Sequence, residues 1–465
     1  MQGAATSAAL AALALLTSCS VAVRTYHYDN LRTGWNSQER KLKPSNIASL
    51  KVLSHALDDA NDQVDTQPLI VSKMNIAGGK HDVVYVTTEN DNIYAIDANT
   101  DTKLLKVSLG NSVPWPIGCG NNGPTVGING TPTIDLISRT MYVIAYMLDP
   151  SGGNAPTYYL HALDLATLAD KVPPRKVTAT HTLQDGTAIS FNATYQRQRP
   201  GLLLANGNVY AGFGSFCDWG GSQSRGWVLG WQAGSLSPLP NNDINDTQTS
   251  EPDNMFLSSV WESVYGVAGD PDGNIYFTTG NSDYSGTTYD GCTNIQESVV
   301  KLPSSLDRTC PTIPPPNPNL FTPANESGLD MGDTDVGSAG VMALPYLAGS
   351  VPKLLVSNAK DGSMFLLNRD NLGGFTGTNA GVLGGVQSIG NGCWCGPAYF
   401  NDGSPHVVSS GGTWGRASPA TAFSSGTFRL RRRRSWCNLP LGRCRIQFRT
   451  RDSSPPCPRT ARTTP

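Results

Sequence analysis

Ten cysteines are the first residues whose type and spacing could do chemistry. Cys19 ends a short apolar run, and Cys437, Cys444 and Cys457 fall in an Arg-rich C-terminal stretch. The other six are Cys119, Cys217, Cys292, Cys310, Cys393 and Cys395. An even number of this kind is compatible with disulfides in an oxidising compartment, although spacing does not pair them. Cys292 and Cys310 lie beside a Pro-rich insertion (TIPPPNPN, 312–319), and a loop-closing disulfide between them is the expected chemistry. Cys393-Trp394-Cys395 leaves one residue between its thiols, too tight for a zinc hook. The histidines (His27, His55, His81, His161, His181 and His406) are scattered, which argues against a histidine metal site. Asp330, Asp333 and Asp335 read, on their own, as a solvated acidic loop. No G-x-x-x-x-G-K-[ST], H-E-x-x-H or G-x-S-x-G occurs, so phosphate-loop, zincin and hydrolase chemistry lack support.

The elements that would position such residues follow from composition. The 465 residues are 39% hydrophobic and only 15% charged, with 49 Gly and 32 Pro. That balance excludes a long-helix or coiled-coil protein and favours many short strands and tight turns. No apolar run reaches the roughly 18 residues of a membrane span. The net charge of −2 hides an asymmetry. Residues 425–465 hold eleven Arg, no Lys and one acidic residue, Asp452. Residues 1–424 carry 23 basic and 35 acidic side chains, a net of −12, which argues against nucleic acid as a partner. The Arg-rich stretch reads either as a basic interaction tail or as out-of-frame translation, and stands outside the fold reasoning.

Residues 4–16 (AATSAALAALALL) form an export-type apolar run, too short to span a bilayer. Leu16-Thr17-Ser18-Cys19 resembles a bacterial lipobox, so Cys19 is the expected lipidation site. The chain thus divides into an export segment (1–25), a β-rich body (26–424) and the aberrant tail (425–465). The expected location is extracytoplasmic, with contact to a membrane only through a lipid anchor.

The body repeats one unit: strand, tight turn, strand, then an Asp- or Asn-bearing turn. It is clearest at VVYVTTENDNIYAID (83–97). Related pairs are TMYVIAYM (140–147) with YLHALDLAT (159–167), and NVYAGFGS (208–215) with GWVLGWQAG (226–234). Then come NIYFTTGN (274–281) with ESVVKLP (297–303), KLLVSNAKDGSMFLLNRDN (353–371), and an incomplete HVVSSGG (406–412). Hairpins repeating without helices predict an all-β fold, a β-propeller with one sheet per blade.

Val-Tyr-Val-x-Thr…Tyr-Ala-Ile-Asp-Ala-x-Thr in the first unit resembles the repeats of pyrroloquinoline quinone (PQQ) propellers. YDNLRTGWNSQERKLKPSNI (28–47) is similar to the N-terminal segment of secreted PQQ-like repeat proteins. The resemblance implies about eight blades, of which five or six are legible, the last incomplete. Four segments resemble quinoprotein alcohol dehydrogenases more closely. GFGSFCDWGGSQSRGWVLGW (212–231) places Asp218 where the family has an acidic calcium ligand. VWESVYGVAGDPDGNIYFTTGNSDY (260–284) places Asn281 at the calcium-binding Asn. TPANESGLDMGDTDVGSAG (322–340) places Asp333 at the catalytic acid, which also faces the metal. SNAKDGSMFLLNRDN (357–371) places Lys360 at the lysine that contacts the quinone.

What the resemblance implies is chemically coherent. Ca²⁺ favours carboxylate, amide and quinone oxygens, and acts as a Lewis acid on a carbonyl. Asp333 then takes the proton of an alcohol or sugar, and Lys360 supplies a charged donor. The expected cofactors are PQQ and Ca²⁺. The family's vicinal cysteine pair is absent, and its Trp-docking repeat is eroded at Asp101 and Leu105. These departures support a second class of function, a non-catalytic propeller that binds a protein or serves as an envelope scaffold.

Overall fold

The computed structural model describes residues 22–424, except 44, 51–56, 58–61, 119–123, 217–223, 249–255, 263–264, 283–286, 309, 311–315, 390–395, 410–411, 414–415 and 418–420. Within that range six antiparallel sheets of three or more strands follow one another along the chain, with four two-stranded pairs beside them. Blade 1 holds Leu69–Ile76, Gly79–Thr87, Asn92–Asp97 and Lys103–Ser108, with Ala22–Val23 added beside its first strand. Blade 2 holds Thr133–Asp135, Thr140–Asp149, Ala155–Asp164 and Arg175–Lys176. In blade 3, Leu203–Ala205 and Gln196–Arg197 pair with Asn208–Ser215, followed by Trp227–Gln232 and Asp243–Ile244. Blade 4 holds Ala268–Gly269, Ile275–Thr278, Val299–Leu302 and Leu320–Phe321. Blade 5 holds Val341–Ala343, Leu354–Asn358, Ser363–Asn368 and Gln387–Ser388. Blade 6 has three strands, Ala398–Asn401, Pro405–Ser409 and Thr421–Ser424. The repeat units read from sequence are the middle strands of these blades, and the short sixth sheet matches the incomplete last unit.

Alternation along each middle strand splits its side chains between two cores. In Thr140–Asp149, Met141, Val143, Ala145 and Met147 pack with Leu69, Val83 and Tyr85 of blade 1. Tyr142, Ile144 and Tyr146 face the other way, onto Val209, Phe213 and Trp227 of blade 3. Tyr210 and Val228 pack on Ile275 and Phe277 of blade 4. Tyr276 and Val299 then meet Leu355 and Phe365 of blade 5, and Val356 and Leu366 meet Tyr399 and Val407 of blade 6. The core is therefore a series of layers between stacked sheets. This explains why the middle strands are apolar on both faces. Each fully buried aliphatic or aromatic side chain contributes about 1.5–3 kcal/mol to such a layer.

A short N-terminal arm ties the blades together. Arg24 O accepts Ile134 N–H (2.8 Å), Asn30 O accepts Gly269 N–H (2.8 Å), Leu31 O accepts Ala343 N–H (3.0 Å) and Thr33 O accepts Tyr399 N–H (2.8 Å). Arg32 Nη2 donates to Leu202 O beside the first strand of blade 3 (3.0 Å). One ten-residue stretch thus touches the leading strands of blades 2 to 6, so those strands are gathered around it at the axis. His27, Tyr28 and Arg32 adopt left-handed backbone angles (φ 53°, 76° and 65°), which fold the arm back on itself. Cys292 and Cys310 form the expected loop-closing disulfide, with Cα atoms 5.4 Å apart, enclosing residues 293–309 just before the Pro-rich stretch. Among the described residues no helix is long and apolar enough to cross a membrane.

Candidate functional site

Three separate stretches meet where blades 4 and 5 join. The turn after Ile275–Thr278 carries Asn281. The tight turn between Leu354–Asn358 and Ser363–Asn368 carries Lys360, and Gly362 supplies its left-handed residue (φ 85°). The connection from blade 4 to blade 5 contains the one described helix, α1 (Glu326–Gly332), followed by Asp333 and Asp335. Asp333 caps α1 in a left-handed conformation (φ 50°), and Val336–Ser338 forms a single 3₁₀ turn.

Asp335 is the meeting point. Its Oδ1 accepts Asn281 N–H (3.2 Å), its Oδ2 lies 2.5 Å from Lys360 Nζ, and its backbone O accepts Lys360 N–H (3.0 Å). Lys360 Nζ also reaches Asp333 Oδ1 at 2.6 Å. The two aspartates differ in depth. The Asp335 side chain is 2% exposed and that of Asp333 is 69% exposed. Of the residues expected from sequence, Asn281, Asp333 and Lys360 are therefore brought together, with Asp333 on the outer rim. Asp218 lies outside the described residues, as do Cys19, Cys119, Cys217, Cys393 and Cys395. Lys360, expected to face a quinone, has its ammonium between two carboxylates.

Other buried groups surround this point. Glu297 Oε2 accepts Val336 N–H (2.6 Å), and Asp330 Oδ1 accepts Ser282 N–H (2.8 Å). Trp261 stands beside Gly280; a Cβ at Gly280 would lie 3.2 Å from Trp261 Cδ1 and 3.6 Å from Asp335 Cγ. Arg199 sits over the Trp261 ring, 5.7 Å from its centroid. Glu297 carries no signal in the sequence, and Trp261 stands there only as part of the 260–284 segment, because their burial depends on blades far away in the chain. Asp335 reads in sequence as the end of the Gly332-Asp333-Thr334-Asp335 run, in which Asp333 is the expected base.

Charge at the site is set by burial and by neighbours. Burial pushes the Glu297 carboxyl well above the usual range, and the nearby Asp335 and Asp330 add to this. Partial desolvation at the rim also raises Asp333, against the pull of Lys360. For Lys360 burial opposes the charge, yet Asp335 and Asp333 together hold the ammonium above the ordinary lysine range. A second buried network joins blades 1, 2 and 3. Glu89 Oε2 accepts Gly127 N–H (2.9 Å), Asn129 Nδ2 donates to Glu89 Oε1 and to Asp65 Oδ2 (3.1 Å), and Arg197 Nε donates to Asn129 Oδ1 (2.9 Å). Burial raises Glu89 strongly. In sequence this glutamate reads only as part of a hairpin turn.

The fit to a hard cation and an oxygen-rich cofactor rests on orphaned atoms. Asn281 Oδ1, Glu297 Oε1 and Trp261 Nε1 are buried without a hydrogen-bond partner among the described residues. Unpaired buried polar atoms are costly, so such a set suits a ligand that supplies the missing partners. Two of the three are oxygens of the kind Ca²⁺ prefers. Among the described residues no three His, Cys, Asp or Glu side chains form a metal cluster by themselves.

No family model matches this sequence. No curated protein matches it either. Solved structures do share its fold. A quinohemoprotein alcohol dehydrogenase from Comamonas testosteroni superposes with a TM-score of 0.54 at 15% identity, covering 86% of this chain and 58% of that one. A quinohemoprotein alcohol dehydrogenase from Pseudomonas putida HK5 gives 0.54 at 16%, covering 87% and 57%. A europium-containing methanol dehydrogenase gives 0.50 at 11%, covering 87% and 73%. The chain spans under three-fifths of the length of the first two. At these identities the likeness is one of fold. With its six successive sheets, this protein has a β-propeller fold like that of those dehydrogenases.

Proposed function

We propose that the protein is an exported quinoprotein-type dehydrogenase that oxidises an alcohol or a sugar, with PQQ and Ca²⁺ held where blades 4 and 5 meet. One observation carries this reading: Asn281, Asp335 and Lys360, from three stretches of chain, converge on one buried point edged by unpaired polar atoms. Asn281 Oδ1, Glu297 Oε1 and Asp218 are the protein oxygens assigned to the cation. When bound, PQQ supplies the two-electron oxidising power that no amino-acid side chain has.

The chain's own residues then have distinct tasks. Asp335 Oδ2 is held by Lys360 and Oδ1 accepts Asn281 N–H, so the second lone pair of Oδ1 is the one assigned to receive the proton of the substrate hydroxyl. Lys360 fixes Asp335 and offers positive charge at the mouth. Asp333, on the rim, holds Lys360 from the solvent side. Trp261, under Arg199, offers a flat apolar surface on which a ring can lie. This arrangement transfers to Asp335 the base role that the sequence suggested for Asp333. Substituting each tests it. Asp335→Asn is expected to cut turnover of the PQQ- and Ca²⁺-loaded protein by about 10²–10⁴-fold. Asp333→Asn is expected to cut it by less than tenfold. The reverse order would restore Asp333 as the base.

Export is part of the same proposal. The disulfide Cys292–Cys310 is the kind of link that persists in an oxidising compartment. The mature chain is expected to begin at a lipidated Cys19. Mass spectrometry of the protein from its native host checks this, and an intact Met1 on a cytoplasmic protein would overturn it.

A further inference from the structure

Glu262 adjoins Trp261 of the candidate site and feels the charge of Arg32 on the axial arm, and nothing in the proposed reaction uses it. It is fully buried, and its backbone is left-handed (φ 44°), a conformation a non-glycine residue keeps only where its surroundings enforce it. Its Oε1 accepts the N–H (3.0 Å) and the hydroxyl (3.3 Å) of Thr278 on blade 4, while Oε2 has no hydrogen-bond partner. Its neighbour in sequence is Trp261. Tyr265 N–H donates back to Glu262 O, and Tyr265 Oη lies 2.7 Å from both Arg32 O and Pro397 O.

Arg32, on the arm, is equally buried. Nε donates to Val267 O (3.0 Å), Nη1 to Thr25 Oγ1 (2.7 Å) and Tyr26 O (3.0 Å), and Nη2 to Leu202 O (3.0 Å) and Val267 O (2.7 Å). Every acceptor is neutral, so a full positive charge is buried with no carboxylate in ion-pair contact among the described residues. The charged and titratable groups that act on Glu262 are Arg32 from the arm and Tyr265 from its own stretch. Asp29 and Tyr26 stand beyond, around Arg32.

We propose that Glu262 is a protonation-dependent latch between the axial arm and Trp261. Neutral, it rests on Thr278 and keeps the floor closed. Ionised, it places an unpaired carboxylate oxygen near a guanidinium that is already committed to carbonyls. One of the two must move, and Trp261, the adjoining residue, moves with it. The titration falls in an accessible range, since burial pushes the Glu262 carboxyl up to about 8. The sign follows from linkage. A carboxyl raised in the folded state contributes stability that is complete below the ordinary glutamate range and is lost as pH rises through the raised value.

The test needs no cofactor, so it is independent of the dehydrogenase reading. Melting temperature is measured from pH 5 to pH 9 for the wild type and Glu262→Gln, a neutral isostere. Trp261 emission is read over the same range as the difference from Trp261→Phe. The wild type is expected to lose about 2–4 °C more than Glu262→Gln across this window. Its Trp261 signal should change near pH 8, and the change should be absent in Glu262→Gln. Equal pH slopes and an unchanged Trp261 transition in Glu262→Gln would overturn the latch. If Glu262→Gln does not fold, Glu262→Asp keeps the carboxyl and shifts the Trp261 midpoint; an unmoved midpoint would overturn it equally.

Discussion

Lys360 Nζ lies 2.5 Å from Asp335 Oδ2 and bridges outward to Asp333, so one half-buried lysine of blade 5 joins an inner carboxylate to a rim carboxylate of the connection from blade 4. Removing the cation leaves the inner carboxylate without its partner. Lys360→Met is expected to cost about 3 kcal/mol of stability. Asp333→Asn, at the exposed end of the bridge, should cost under about 1 kcal/mol. Chemical denaturation of the two variants checks the contrast, and equal losses would mean that the inner pair is not the dominant one.

The arm makes a second expectation. Arg32 caps carbonyls from the arm itself and from beside the leading strands of blades 3 and 4. Arg32→Met leaves several buried carbonyl oxygens unpaired, each worth about 1–3 kcal/mol. The substitution is expected to lower stability by more than about 4 kcal/mol or to prevent folding. A loss within about 1 kcal/mol would show that the arm decorates the ring and does not organise it.

Much of this architecture is legible in the sequence, and the reason is local. Alternating apolar residues and Asp- or Gly-bearing turns mark each middle strand pair, as at 83–97 and 353–371. Cys292 and Cys310 lie eighteen positions apart, the second just before the Pro-rich stretch 312–319. Lys360 stands out because Asp361-Gly362 announces the turn that presents it. What is not legible is depth. Asp330, Asp333 and Asp335 lie in an aperiodic connection, and only the end of α1 at Gly332 decides which of them turns inward. Arg32, Glu262 and Glu297 look like ordinary surface charges, because the groups that bury them lie up to hundreds of residues away. The segment 28–47 is recognisable as an N-terminal signature, yet its sequence does not reveal that the stretch ending at Thr33 fills the axis.

Acid stability offers an independent check on blade 1. His81 Nδ1 sits 2.5 Å from Asp97 Oδ2, and Asn99 and Thr100 N–H donate to Asp97 Oδ1. The histidine contact, helped by those amides, holds the Asp97 carboxyl down at about 2. A depressed carboxyl contributes stability above its unfolded value and loses it as pH falls toward the folded one. The wild type should therefore lose stability between pH 4 and pH 2 more steeply than Asp97→Asn. Parallel curves for the two proteins would contradict this.

The disulfide closes a loop whose ends are eighteen residues apart. In the chain-entropy account, Cys292→Ser with Cys310→Ser is expected to cost about 3 kcal/mol. Arg308 Nε, held by Asp243 Oδ1 (2.7 Å), should keep the insertion docked, so the loss is expected in stability and not in fold. Circular dichroism and thermal melts of the double variant distinguish the two.

The central claim is that the convergence at Asp335 is a PQQ and calcium site. The direct measurement adds PQQ and Ca²⁺ to the purified full-length protein and follows quinone absorbance together with melting temperature. The account expects saturable binding and a raised melting temperature, with about 2.7 kcal/mol of stabilisation at a hundredfold excess over Kd. Asp218→Ala and Asn281→Ala should each abolish the rise. No absorbance change and no shift in melting temperature with the intact site would contradict it, and would leave a propeller scaffold in which these residues only hold blades together.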